Sequence, residues 1–151
     1  MERVILNSRH LADFFDRCIE ELKQRKNCAP LIEMSSFLGS IGEMTGDLKY
    51  YAIQPFIGMI GSEISGFLRV IDIPILPEEL RTEYQRFYGE AVDEIVNTLE
   101  VLKNELCQQE CSNSDRIIEA LGKLGKYVSG FYDRRVRAEK IILPYRSPSS
   151  E

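Results

Sequence analysis

The sequence predicts an all-α protein, an antiparallel bundle of four to five helices with one long central helix. Three observations carry that prediction. Apolar residues recur at steps of three and four along most of the 151-residue chain. Capping and stop residues divide the pattern into segments of helix length. The connections are short, which makes consecutive helices antiparallel.

In chain order, Leu11, Phe14, Phe15, Cys18, Ile19 and Leu22 form one apolar helical face. Asn7 or Ser8 is placed to cap this first helix. Lys23, Arg25 and Lys26 suit the negative end of its dipole, and Asn27 marks its stop. Pro30 suits a first helical turn, so a second helix runs from about Leu31 to Thr45, ended by Gly46. Asp47 is a cap for a third segment, Leu48 to about Val70. Pro55 inside it predicts a kink or a break near Gln54. Residues 71–77 hold two prolines, which exclude a regular helix and predict a packed, extended connector.

The fourth helix is the clearest. Pro77, Glu78 and Glu79 make its first turn, and Leu80, Tyr84, Phe87, Ala91, Ile95, Leu99, Leu102 and Leu106 line one face. Running to about Gln109, it spans roughly 45–50 Å. Residues 112–115 (Ser-Asn-Ser-Asp) supply the next cap. The fifth helix carries Ile117, Leu121, Leu124, Val128 and Phe131 and reaches Ala138 or beyond. Residues 1–143 are thus one helical domain, and 144–151 are a flexible, polar tail. At 44% apolar and 28% charged, the chain can bury a core without disulfide staples.

Charge and motifs narrow the function classes. A net charge of −5 disfavours nucleic acid as a partner. No run of 18 apolar residues spans a membrane, and no export signal opens the chain, so the cytoplasm is the expected compartment. Cys18, Cys28, Cys107 and Cys111 then read as reduced thiols. Cys107 and Cys111 lie four apart, but no Cys-x-x-Cys occurs, and buried thiols are the plainer reading than a zinc site. A di-iron bundle needs Glu-x-x-His pairs; the sole histidine, His10, has no Glu three residues before it, so no metal site is expected. Phosphate-loop, nucleophile-elbow and dinucleotide-binding motifs are all missing.

Three features remain. Ser35, Gly39, Gly42, Gly46, Gly58, Ser62 and Gly66 stripe the second and third helices, for close helix crossing or for a ligand. Glu33, Glu43, Asp47 and Glu63 lie in apolar surroundings; Glu43 and Glu63 are the acidic candidates if two converge on a metal or an acid–base task. Residues 112–146 carry eight Lys or Arg against four acids, whereas residues 1–111 carry 11 against 19. This basic end could hold phosphate through Arg134, Arg135 and Arg137, with Tyr127 and Tyr132 to stack, or pair with acids of its own bundle.

Residues 133–140 (Asp-Arg-Arg-Val-Arg-Ala-Glu-Lys) resemble the Arg-Arg-Ala-Glu-Arg helix of PduO-type ATP:corrinoid adenosyltransferases, and Phe37-Leu38-Gly39 resembles a Leu-Gly step in an early helix of that family. The resemblance covers fewer than about 15 residues, and the family's Thr/Gly-rich phosphate loop is missing from residues 1–8. It implies a trimeric helical bundle in which Arg134, Arg135 and Glu139 would help to hold ATP.

The first functional expectation is therefore a self-associating, homo-oligomeric bundle with an interaction or accessory role. The alternative is an ATP-binding bundle enzyme, with magnesium, similar to those adenosyltransferases. A third reading gives the basic last helix a regulatory partner or nucleic acid, against which the acidic remainder argues.

Overall fold

The computed structural model describes residues 2–24, 29–107 and 113–145. They form five helices: α1 (Glu2–Lys23), α2 (Ala29–Thr45), α3 (Leu48–Ile71), α4 (Glu78–Cys107) and α5 (Ser114–Ile142). No strand occurs among them, and no helix is long and apolar enough to cross a membrane.

Several boundaries follow the expected chemistry. Gly46 adopts φ +70°, and its N–H donates to Gly42 O at 2.8 Å, closing α2 with a left-handed cap. Asp47 accepts from Lys49 N and opens α3. Asn113 accepts from the amides of Asp115 and Arg116 and opens α5. Two expectations need correction. α1 begins at Glu2, so Asn7 and Ser8 lie inside it and not at its start. It ends at Lys23; Arg25, Lys26 and Asn27 lie outside the described residues. Nor is α4 the single long helix: it has 30 residues and α5 has 29. At Pro55 α3 continues without a break. Residues 108–112 and most of the expected tail, 146–151, lie outside the described residues.

The helices close a ring in the order α1, α2, α3, α5, α4. α1 and α2 run antiparallel, with Phe14 on Phe37 and Arg17 on Glu33. α2 and α3 do too, joined by two residues. α5 then inserts between α3 and α4. Phe56 lies against Gly125 and Arg135 against Gly66, so both chains advance together and α3 and α5 are parallel neighbours. Consecutive helices keep the expected antiparallel course, and this one parallel seam joins helices that are not consecutive. The α3–α4 connector crosses the end of the bundle, and α3 and α4 themselves meet little beyond Phe67 and the rings of Tyr84, Phe87 and Tyr88. Arg81 fixes that crossing by donating to three connector carbonyls, Ile71 O (3.1 Å), Ile73 O (2.9 Å) and Leu76 O (3.4 Å).

The core follows the predicted stripes. Leu11, Phe15, Cys18, Ile19 and Leu22 of α1 are buried, as are Tyr84, Ala91, Ile95, Leu99, Leu102 and Leu106 of α4. Glu105 breaks the rule. It is only 3% exposed, and its carboxylate accepts from Asn113 N at 2.8 Å, with Arg116 at 3.5 Å. It therefore ties the end of α4 to the cap of α5. Glu105→Ala is expected to cost about 1.5–3 kcal/mol, the range for a hydrogen bond to a charged group, read by denaturant unfolding. Glu105→Gln, which keeps an acceptor oxygen, should cost less.

Candidate functional site

The three candidate arginines leave α5 in different directions. Arg135 turns toward α3. It donates to both oxygens of Glu63 (Nε–Oε2 3.2 Å, Nη2–Oε1 3.4 Å) and to Glu139 Oε1 at 2.8 Å. Those hydrogen bonds, to Glu63 first, push its pKa up. Gly66 is required by this passage, since a Cβ there would sit 2.8 Å from Arg135 Cδ. Arg134 lies with its guanidinium 3.5 Å from the centroid of Phe87, and Nη1 donates to Gly130 O at 3.0 Å. Arg137 is exposed. The basic segment thus divides: Arg135 answers an acid of its own bundle, while Arg134 and Arg137 face one groove.

The acidic candidates do not converge. Glu63 is bound to Arg135 in the second half of α3, whereas Glu43 stands exposed in the last turn of α2, beside the start of α3. Glu33 pairs with Arg17 and Asp47 caps α3. Among the described residues no three His, Cys, Asp or Glu gather as metal ligands. Cys28 and Cys111 lie outside the described residues. The small-residue stripe is explained by helix crossing. A Cβ at Gly39 would meet Gln54 at 2.7 Å, at Gly42 the Tyr51 ring at 3.1 Å, and at Gly58 Ser35 Oγ at 2.9 Å. Ser35 Oγ also donates to Gln54 O at 3.0 Å, binding α2 to α3.

The groove shared by Arg134 and Arg137 runs between the first half of α4 and the second half of α5. It has a volume of about 470 Å³ and is lined by Glu83, Tyr132, Asp133, Arg134, Val136, Arg137 and Lys140. Beneath it Tyr84 is fully buried, with its hydroxyl beside the Arg137 guanidinium. Burial pushes its pKa up, while the charge of Arg137 and a hydrogen bond to it, and then the charge of Arg134, pull it back. Arg134 Nε is buried without a partner. Leaving such a group unsatisfied costs about 1–3 kcal/mol. The chain matches no known family model, no curated protein and no solved structure. The site is therefore read from its own residues, and the likeness to adenosyltransferases rests on residues 133–140 and 37–39 alone.

Neither Tyr84 nor Glu105 stands out by residue type, yet both had a positional signal. Each is a polar-tipped residue on the apolar stripe of α4, Tyr84 between Leu80 and Phe87, Glu105 between Leu102 and Leu106. Cys18 behaves as the plain reading expects. Burial pushes its thiol up from 9.0 to about 12, far from a reactive thiolate. In the unfolded chain this thiol ionises near pH 9, in the folded chain only near 12. Its contribution to stability is therefore complete below pH 9 and is lost as the pH rises to 12. Tyr50, Tyr84 and Tyr127, also raised by burial, act in the same direction. Stability is expected to fall steadily above pH 9, and Cys18→Ala should flatten that fall in unfolding curves taken at each pH.

Proposed function

We propose that the chain is a self-associating helical bundle with an interaction or accessory role, and that the outer face of α2 and α3 is its self-association surface. The observation that carries this reading is the chemistry of that face. Across the 17 residues of α2 and the 24 of α3 stand only five charges, Glu33, Glu43, Lys49, Glu63 and Arg69. The exposed residues of α3 from 48 to 62 are Leu48, Tyr51, Ala52, Pro55, Met59 and Ser62, none of them charged. Alongside, Ile32, Ser36, Ser40 and Met44 form an exposed row on α2 at steps of four. A solvated helix normally carries a charged outer face; one that is apolar or small all round is a helix meant to be covered.

A second copy fits this face better than a charged partner does. Glu33 turns to Arg17 and Glu63 is neutralised by Arg135, leaving Glu43 at one end. The small residues permit close approach of another helix pair, and an isologous contact matches the face with itself. Its extent is roughly 30 Å by 20 Å, or about 600 Å², close to the roughly 800 Å² a side of a standard interface.

Sedimentation velocity over a hundredfold range of concentration tests the reading. A dimer or higher oligomer at micromolar concentration is the expected result. A monomer throughout that range would overturn it. The ATP- and magnesium-dependent alternative gains no specific support, because two of its residues, Arg135 and Glu63, are committed to each other.

A further inference from the structure

The methionines of the described residues all lie on α2 or α3, and they are placed in two ways. Met34 is fully buried in the core, whereas Met44 is 60% and Met59 49% exposed. Both exposed thioethers stand on the charge-poor face, but not at equivalent places. Met59 lies inside it, in the shallow groove with Ile32, Ser36, Pro55 and Ser62. Met44 lies at its end, in the last turn of α2 beside the exposed Glu43. A thioether packs as an apolar group, yet its sulfur is open to oxidation when exposed. Neither α2 nor α3 contains a cysteine, so the two thioethers are the groups on this face that a hydroperoxide attacks. The groove has no way to receive the product. Its lining holds no cation; its one charged group, Glu63, is itself an acceptor, bound to Arg135, and the Ser35 hydroxyl is given to Gln54 O.

We infer that Met59 is an oxidation site that switches self-association off: a hydroperoxide converts its thioether to the sulfoxide in the separated copy, and the sulfoxide keeps the copies apart. This inference rests on the self-association reading above. In the step, the sulfur lone pair attacks one peroxide oxygen, so an S–O bond forms and the O–O bond breaks. Sulfur loses two electrons and the peroxide gains them. The departing oxygen takes the proton of the transferred hydroxyl and leaves as water. The new S=O oxygen is a strong acceptor that water satisfies in the separated copy and that the contact would cover. A two-fold contact carries Met59 twice, so one oxidation per copy places two such oxygens in it. Met44, at the end of the face, keeps its oxygen in water after assembly and matters less. Two thiols return the sulfoxide to the thioether, with water and a disulfide as products, when a methionine sulfoxide reductase catalyses the exchange, so the switch is reversible. Assembly in turn shields Met59, so oxidation and association oppose each other.

The test treats the protein with hydrogen peroxide beside N-acetylmethionine as an internal reference. Peptide mass spectrometry maps each methionine, and sedimentation velocity follows assembly. With Met59 converted, the wild type should associate about a hundredfold more weakly, about tenfold for each unsatisfied acceptor that the contact covers. Methionine sulfoxide reductases with a dithiol should restore it. Met59→Leu conserves side-chain volume, so it should assemble like the wild type and stay assembled after peroxide. It keeps all four cysteines, which separates Met59 from thiol oxidation. Met44→Leu should assemble and remain sensitive. Met59→Gln, with an uncharged polar side chain of similar length, should associate about tenfold or more weakly without any peroxide. Oxidation of Met59 relative to N-acetylmethionine should slow as protein concentration rises through the range of assembly. An untreated wild type that is monomeric throughout overturns the self-association reading, and this inference with it. Four results overturn this inference alone: an assembled wild type that stays assembled with Met59 fully converted, a Met59→Leu protein that peroxide dissociates as readily as the wild type, undiminished assembly of Met59→Gln, or loss of the helical circular dichroism on treatment, which would move the effect to Met34 in the core.

Discussion

Phe67→Ala is expected to lower the stability of the fold by about 3–5 kcal/mol, the cost of truncating a phenylalanine in a core that cannot close over the space. Phe67 is fully buried near the end of α3. Its ring lies 5.0 Å from Phe131 of α5, and 5.7, 6.3 and 6.3 Å from Tyr84, Phe87 and Tyr88 of α4. α3 and α4 otherwise meet little, because α5 stands between them. Phe67 is thus where three helices are keyed together, and each neighbouring ring is held by its own helix. Phe87 carries Arg134 on one side and meets Phe131 at 5.1 Å on the other, so it has little freedom to relax into a cavity. Chemical denaturation of Phe67→Ala beside Phe14→Ala checks the claim. Phe14 stacks on Phe37 at 5.2 Å but is only partly buried, so its loss should cost clearly less. Equal costs would mean that the aromatic cluster is not the keystone.

How far the sequence could be read depended on whether the signal was local. The helix periods, the Asp47 and Asn113 caps and the Gly46 stop are each decided within a few residues by backbone sterics and capping bonds, and they appear as expected. Asn7 and Ser8 are capping residue types that a helix interior also tolerates, so their type alone did not mark the start of α1. Pro55 has a real local cost, yet the helix continues through it. Ring order was beyond local reading. Nothing near residues 72–77 says that α5 will occupy the place beside α3; that follows from Phe67 and Phe131 and from the Glu63–Arg135 pair, both long-range. The site divided in the same way. That residues 134–137 form a basic helical segment was legible, but which arginine is neutralised was not, because Glu63 lies 72 positions away. The glycine stripes likewise named a close approach without naming what approaches.

Met59→Glu is the substitution that bears most directly on self-association. Met59 is 49% exposed on α3, between Pro55 and Ser62, and lines the shallow groove with Ile32 and Ser36 of α2. Glutamate is a good helix former at an exposed position, so the monomer should keep its fold and its unfolding midpoint within about 0.5 kcal/mol. In the assembled form the same carboxylate is taken from water into a face that offers no cation. The described charges nearest in sequence, Lys49 and Glu63, are already paired with Asp47 and Arg135. A two-fold contact presents the substitution twice, so the two carboxylates also repel. A penalty of about 3 kcal/mol or more follows, a loss of at least about a hundredfold in association. Sedimentation velocity should show Met59→Glu as a monomer at concentrations where the wild type is assembled. Ile118→Glu is the matching control: Ile118 is 66% exposed on α5, away from the α2–α3 face, and its replacement should leave assembly unchanged. If Ile118→Glu dissociates the protein and Met59→Glu does not, the contact lies on the α4–α5 side of the ring. In that case the charge-poor face of α2 and α3 is left for a partner other than a second copy.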